Sequence, residues 1–211
     1  MEDFKGYLIT FEGIDGSGKS VQAQRLYNNL KKQGLDPLLI REPGGTEVSE
    51  KIRDILLLSE RGSVSPVTEL MLYEAARAEL VSRIIFPALK DGRVVISDRF
   101  TDSTVAYQGF GRGLDIDLIE QINFFVCRQI KPHLTIILDI TLEESLRRRN
   151  SISKKEDRIE KETSDFFSAV ITGYKSIADS DTNRAVLFDG SLPVDKLEQM
   201  IFERVKQTIS L

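Results

Sequence analysis

The segment Gly13-Ile14-Asp15-Gly16-Ser17-Gly18-Lys19-Ser20 fits the pattern G-x-x-x-x-G-K-[ST] without a mismatch. The apolar run Tyr7-Leu8-Ile9-Thr10-Phe11 precedes it and a helical pattern follows. That strand–loop–helix context is the one in which the pattern makes a phosphate-binding loop. The glycines let backbone N–H groups turn inward around a polyphosphate, and the following helix aims its positive end at the same anion. Lys19 would reach the β- and γ-phosphates, and the Ser20 hydroxyl would hold Mg²⁺. Motif, position and flanks agree, so a chance glycine-rich turn is the weaker explanation. The segment predicts binding of a nucleoside triphosphate.

Other residues exceed what a phosphate loop needs. Asp98-Arg99 directly follows the apolar run that ends at Ser97. Ligands of a parallel α/β sheet bind at the carboxyl ends of its strands, so Asp98 should land beside the loop. A carboxylate there can hold Mg²⁺, directly or through water, and the planar fork of Arg99 suits phosphoryl oxygens; the plain alternative is a surface ion pair. Arg41-Glu42-Pro43-Gly44-Gly45 leaves the second strand at the same edge, and Arg53 follows in the next helix. Tyr73 and Arg77 share a helix face and could stack on and hydrogen-bond a base, although such a pair alone is more often core packing with a snorkelling arginine. Tyr107-Gln108-Gly109-Phe110-Gly111-Arg112-Gly113 reads as a loop, in which Gln108 offers both a donor and an acceptor. Two anion sites facing each other fit phosphoryl transfer between two nucleotides.

The elements that must position these residues alternate along the chain. Strands are expected at 7–11, 37–42, 93–97, 134–140 and 185–189, each short and rich in Val, Ile or Leu. Helices are expected at about 19–33, 48–58, 66–90, 116–130, 142–150, 164–178 and 193–210. Gly34 should cap the first helix, Ser65-Pro66 should start the third, and Thr141 to Glu144 reads as a capping box. Pro87 should kink or end the long third helix. The alternation predicts an α/β fold with a five-stranded parallel sheet covered by helices on both faces. Residues 150–162 (NSISKKEDRIEKE) are polar and nearly free of apolar side chains. Such a run is usually a solvated surface, but beside a phosphate site it suggests a short mobile lid.

The 211 residues suit one domain with a substantial core. A net charge of −4 gives no basic field for a long nucleic acid. The local clusters Arg147-Arg148-Arg149 and Lys154-Lys155 suit a small anion better. No apolar stretch is long enough to cross a membrane, and the charged start Met1-Glu2-Asp3 is unlike a signal peptide. The single Cys127 has no internal disulfide partner, which fits a reducing cytoplasm; it is expected to be a small buried hydrophobe. His133 is expected on the surface. A guanine-reading N-K-x-D element is absent from the sequence, which disfavours a GTPase switch, and the presence of Lys19, Ser20, Asp98 and Arg99 disfavours a non-catalytic binder.

In order along the chain, FEGIDGSGKS, REPGGTE, ELMLYEAAR, SDRFTDSTVAYQGFGRGL, PHLTIILDI and DRIE resemble the bacterial form of the thymidylate kinase family, among the nucleoside monophosphate kinases. The similarity runs from Tyr7 to the C-terminus. The resemblance implies a cytoplasmic, homodimeric transferase that uses ATP and Mg²⁺ to convert dTMP to dTDP for dTTP synthesis. It implies that Gly13, Ile14, Asp15, Gly16, Ser17, Gly18, Lys19 and Ser20 bind ATP and that Ser20 and Asp98 serve the metal. Arg99 would position both phosphates, with Glu12 and Asp15 close by. Glu42, Pro43 and Arg53 would lie at the dTMP end, Arg53 on its phosphate. Tyr73 takes the place of a phenylalanine that stacks on thymine. Arg77 and Gln108 would read the base edge, Ser103 and Thr104 would line the pocket, and Tyr107 would pack near the sugar. The phosphate loop has Gly16 where some members carry arginine, so lid arginines are expected instead: Arg149 and Arg158 at the transferring phosphate, Arg148 near adenine. The nearest alternative is a kinase of the same architecture with another acceptor, such as dUMP or a deoxynucleoside.

Overall fold

The structure, a computed structural model, describes residues 4–151 and 156–211. Lys154 and Lys155 of the expected lid lie outside the described residues. The sheet is built from β1 (Tyr7–Glu12), β2 (Leu38–Arg41), β3 (Val94–Asp98), β4 (Leu134–Asp139) and β5 (Ala185–Asp189). Its order is β2-β3-β1-β4-β5, and every pairing is parallel. The expected strands hold, with no end shifted by more than one residue.

Alternate residues of the strands feed different helical layers, as a period of two requires. Ile9 and Phe11 join Ile96, Ile136 and Leu138 under α1 (Lys19–Lys32) and α9 (Val194–Ile209). Leu8 and Val95 point the other way, against Leu80, Val81, Ile85 and Leu89. Burial on both faces is why the strands are runs of Val, Ile and Leu without polar alternation. Ile137 belongs to a third cluster, under α8 (Ser164–Ser180), with Phe166, Phe167 and Val170.

Helix starts follow the sequence signals. Thr46 caps α2 (Glu47–Leu58), and Ser65 caps α3 (Pro66–Leu80), each by accepting a backbone N–H. Asp115 does the same for α6 (Ile116–Val126), Thr141 for α7 (Leu142–Asn150) and Thr163 for α8. Only half of the box at α7 forms, because the Glu144 carboxylate turns to Arg147 and Arg148.

The third helix reaches Lys90 as expected and does not end at Pro87. After α3 it passes through a π-helical turn, Val81–Ile85, into α4 (Phe86–Lys90), and Phe86 N–H bonds to Val81 C=O. The widened turn sits immediately ahead of the residue that cannot donate. The stretch 101–111, not expected to be helical and in part read as a loop, forms α5 (Thr101–Thr104) and a π-helical segment, Val105–Gly111. Its glycines serve close packing. A Cβ on Gly111 would stand 2.6 Å from Phe166, and one on Gly173 of α8 would stand 2.8 Å from Phe110. Only Gly113, at φ 73°, makes the expected turn.

Among the described residues no helix is long and apolar enough to cross a membrane. Cys127 is fully buried. His133 is exposed, and its Nδ1 accepts the Leu8 N–H at 3.0 Å.

Candidate functional site

β1 lies between β3 and β4, strands that connect to opposite flanks of the sheet. The register sets Phe11 beside Asp98, Asp98 beside Arg41, and Glu12 beside Ile137. The carboxyl ends of β1, β2, β3 and β4 therefore open on one edge, the switch point at which such sheets bind ligands. A cavity of about 700 Å³ opens there.

The phosphate loop forms one wall. Asp15 through Ser20 line the cavity. Gly13 and Ile14 lie behind them. Gly13, at φ 131°, packs so closely that a Cβ would sit 2.6 Å from the Leu138 carbonyl. The Ile14 carbonyl accepts from Lys19 Nζ at 2.9 Å. Lys19 is only 6% exposed, and burial, reinforced by the Arg99 charge, pulls its pKa from 10.5 to about 8. Its ammonium is short of countercharge, as expected of a lysine built to meet phosphates.

Asp98 and Ser20 meet as expected, with Ser20 Oγ donating to Asp98 Oδ2 at 2.5 Å on the cavity wall. One hydroxyl and one carboxylate are a fitting donor set for Mg²⁺, which takes few protein ligands and fills its shell with water and phosphate oxygens.

Arg99 sits between the loop and the far wall. Its backbone has φ 75°, uncommon for any residue but glycine. That turn brings the guanidinium back over the loop, where it donates to Asp15 Oδ1 at 2.5 Å, Gly13 C=O at 3.1 Å and Ser103 Oγ at 3.2 Å. It also lies over the Tyr107 ring, 5.1 Å from the centroid. Burial alone would raise the Asp15 pKa, but Arg99 and Lys19 outweigh it and hold the carboxyl down at about 2.

Glu12 does not reach the cavity. It is fully buried and accepts from Phe100 N–H at 2.7 Å, Ser103 Oγ at 2.5 Å and Tyr174 OH at 3.0 Å. Burial, then the nearby Asp102 charge, raises its pKa to about 7. Its place is beneath Ser103 and the Phe100 backbone, holding both in position. Tyr174 was missed by the sequence analysis; it arrives from α8, far along the chain, and its sequence surroundings read as ordinary helix.

The far wall gathers Glu42, Pro43, Arg53, Tyr73, Arg77, Ser103, Thr104, Tyr107 and Gln108, all named from sequence. Arg53 donates to the Pro43 carbonyl at 2.8 Å, and its other N–H groups make no hydrogen bond among the described residues. The Tyr73 hydroxyl has no hydrogen-bond partner among the described residues. Arg77 departs from expectation. It is 2% exposed and holds Glu42, Glu74, Thr104, Asn123 and the Phe100 carbonyl. It neither snorkels nor offers a free fork; it cross-links the wall. Glu42 shares Arg77 with Glu74, and burial, with that second carboxylate, raises its pKa to about 7.

The arginines after β4 separate. Arg148 lines the cavity, donating to Glu144, the Gly16 carbonyl and the Gly190 carbonyl. Arg158, expected at the transferring phosphate, does not reach the cavity. It is 1% exposed, bonded to Glu69 at 2.6 Å and to the Leu56 carbonyl at 2.7 Å. Arg149 also stands off the cavity wall, against Glu156, the Glu160 carbonyl and the Phe167 ring. Yet its Nε and Nη1 are buried without a partner, and its charge is felt at Asp15.

A family model described as thymidylate kinase matches residues 11–201. Relatives include the thymidylate kinase of Pelobacter propionicus, 42% identical over 207 residues, with 96% of this chain and 94% of the relative covered. That of a Thermoanaerobacter species is 44% identical over 203 residues, with 96% and 98% covered. Among solved structures, thymidylate kinase from Ehrlichia chaffeensis matches with a TM-score of 0.77 at 32% identity, covering 95% of this chain and 98% of that one.

Proposed function

The chain belongs to the thymidylate kinase family, and on that premise we propose that it acts as one domain transferring the γ-phosphoryl group of ATP to dTMP, giving ADP and dTDP. One observation carries this: a single cavity runs from the phosphate loop past Arg99 to Arg53, Tyr73 and Gln108. It has room and countercharge for two nucleotides with their phosphates meeting at Arg99.

The attacking atom is an oxygen of the dTMP phosphate, already ionised at neutral pH, so no general base is needed. The protein's task is in-line positioning and charge neutralisation. Lys19 and the loop N–H groups hold the donor phosphates, and Arg53 holds the acceptor. Arg99 bridges the two and meets the charge that spreads in the transition state. Ser20 and Asp98 would hold Mg²⁺, which would supply further neutralisation of the donor's charge. Arg148 faces the adenine end. Of the two lid arginines, Arg149 is favoured for the transferring phosphate, because its charge is felt at Asp15 and its Nε and Nη1 lack partners, whereas Arg158 leaves only Nη2 unpartnered and is tied to Glu69 and the Leu56 carbonyl. The aromatic floor of Tyr107, fixed against Phe166 and Tyr174, would crowd a ribose 2′-hydroxyl.

A homodimer is part of the proposal. Val67 and Met71 of α3 and Leu118, Phe124 and Phe125 of α6 are exposed, Phe125 by 83%, and the two helices are neighbours. Sedimentation at the monomer mass would remove this element alone.

The test is ADP release with ATP and Mg²⁺ against dTMP, dUMP, dCMP, the ribose analogue of dTMP, AMP and no acceptor. Turnover that is fast with dTMP and slower with dUMP is expected. Equal rates across pyrimidines would leave transfer intact and discard the base pocket, and no acceptor-dependent turnover would overturn the function.

A further inference from the structure

Glu69 is a fully buried carboxylate on the far side of the cavity that the mechanism does not use. It is 0% exposed. It stands in the first turn of α3, with Tyr73 and Arg77 following at i+4 and i+8 on the same face. Its Oε1 accepts from Gln108 Nε2 at 2.8 Å and Arg112 Nε at 3.0 Å. Its Oε2 accepts from Arg112 Nη2 at 2.9 Å and Arg158 Nη1 at 2.6 Å. Burial works against its charge, but the bonds from Arg112, Gln108 and Arg158 more than offset that and keep its pKa below the ordinary carboxylate value.

An ionised carboxylate can only accept. Contact with Glu69 therefore dictates which end of the Gln108 amide faces it: the NH₂ group turns to Glu69 and the carbonyl turns away. Gln108 lines the cavity although it is 2% exposed. Its carbonyl oxygen has no partner among the described residues and is not among the sealed, unpartnered atoms, so it is open to the cavity. Without such an anchor, a glutamine amide presents donor and acceptor equally well by turning over.

We propose that Glu69 is a specificity-positioning residue: by clamping the Gln108 NH₂ it fixes a hydrogen-bond acceptor toward the base site, which selects bases carrying N3–H, thymine and uracil, against cytosine, whose N3 is itself an acceptor. The inference rests on the base-site reading of the far wall. It assigns the choice between base types to a residue that touches no nucleotide. Two arginines complete the clamp: their bonds offset the burial that works against the Glu69 charge and so favour the carboxylate form, which only accepts.

The experiment compares kcat/KM for dTMP, dUMP and dCMP in the full chain and in Gln108→Ala, Glu69→Gln and Glu69→Asp. Gln108→Ala tests the underlying reading: it should bring the dTMP:dCMP ratio down, and an unchanged ratio there would overturn the base site itself. Given that drop, Glu69→Gln should lower the dTMP:dCMP ratio by about tenfold or more, the size of one orienting hydrogen bond lost at a buried site. The dTMP:dUMP ratio should hold, because those two bases share N3–H. Glu69→Asp keeps the charge for Arg112 and Arg158 but falls one methylene short of Gln108. It should show the same loss, and because the ratio is taken within one chain it is read even where thermal unfolding falls below that of the parent, which covers poor folding of Glu69→Gln. A merely structural Glu69 would depress all three substrates alike and leave both ratios unchanged, and that result would overturn the proposal.

Discussion

Binding of a nucleoside triphosphate should draw a proton onto Lys19. In the free protein the ammonium is desolvated and faces Arg99, with Asp15, Asp98 and Glu12 compensating only in part, so its pKa falls from 10.5 to about 8. At roughly 1.4 kcal/mol per pH unit, that fall stands for about 3 kcal/mol of electrostatic penalty. The β- and γ-phosphates relieve it, returning the lysine to at least its ordinary value. At pH 9 only about a tenth of the free protein carries the proton, whereas the complex carries nearly all of it, so binding should take up about 0.9 proton per site. At pH 7 the uptake from this group should drop to about 0.1. Nearby groups do not obscure the window: Glu12 and Glu42 titrate near 7, and a phosphate's second ionisation lies at about 6. Isothermal titration calorimetry at pH 9, in buffers of different ionisation enthalpy, reads the uptake as a slope. A slope near zero would mean that Lys19 is already fully charged in the free protein and that its burial does not hold its pKa down.

Stability should fall as pH rises from about 5 to 8. Glu12 is raised above its unfolded value of 4.5 to about 7, so the folded state binds the extra proton in that interval, and Glu42 behaves the same way. Each accounts for about 3 kcal/mol at most. Glu12→Gln should remove about half of the pH slope of the urea midpoint, and an unaltered slope would contradict the assignment. Arg149→Ala should lower kcat by about a hundredfold or more with little change in Tm, while Arg158→Ala should cost about 3 kcal/mol of stability by leaving Glu69 short of a partner; the reverse pattern would return the transfer role to Arg158. Gly13→Ala should abolish triphosphate binding and lower Tm, since its Cβ would meet the Leu138 carbonyl at 2.6 Å on a backbone at φ 131°; retained binding would show that the loop yields more than its packing suggests.

The sheet was legible because strands buried on both faces carry a dense apolar signal, and the phosphate loop because its spacing is rigid. What failed had other physical causes. Gly109 and Gly111 look like turn punctuation in sequence, yet their missing side chains make room for Ile116 and Phe166 against a π-helical segment. Arg158 sits in a charged run that reads as solvated, and only the fold brings it to Glu69 and the Leu56 carbonyl. Arg77 was placed at the right wall with the wrong freedom, because its partners come from β2's end, α5 and α6. Glu69 was visible in principle: the i, i+4 spacing that linked Tyr73 to Arg77 extends one turn back to it.

The backbone at Arg99 has a wider consequence. A positive φ there is held by the Arg99 N–H to Phe11 C=O bond and the side-chain bonds to Asp15 and Gly13, and glycine or asparagine would occupy it more comfortably. The residue that best suits the chain's conformation and the one that best suits its chemistry are different at this position. A library sorted only for heat resistance should therefore drift to glycine or asparagine at 99, while the same library sorted for growth on its product should hold arginine, so that disagreement between the two selections marks the spot where the molecule gives up robustness for work.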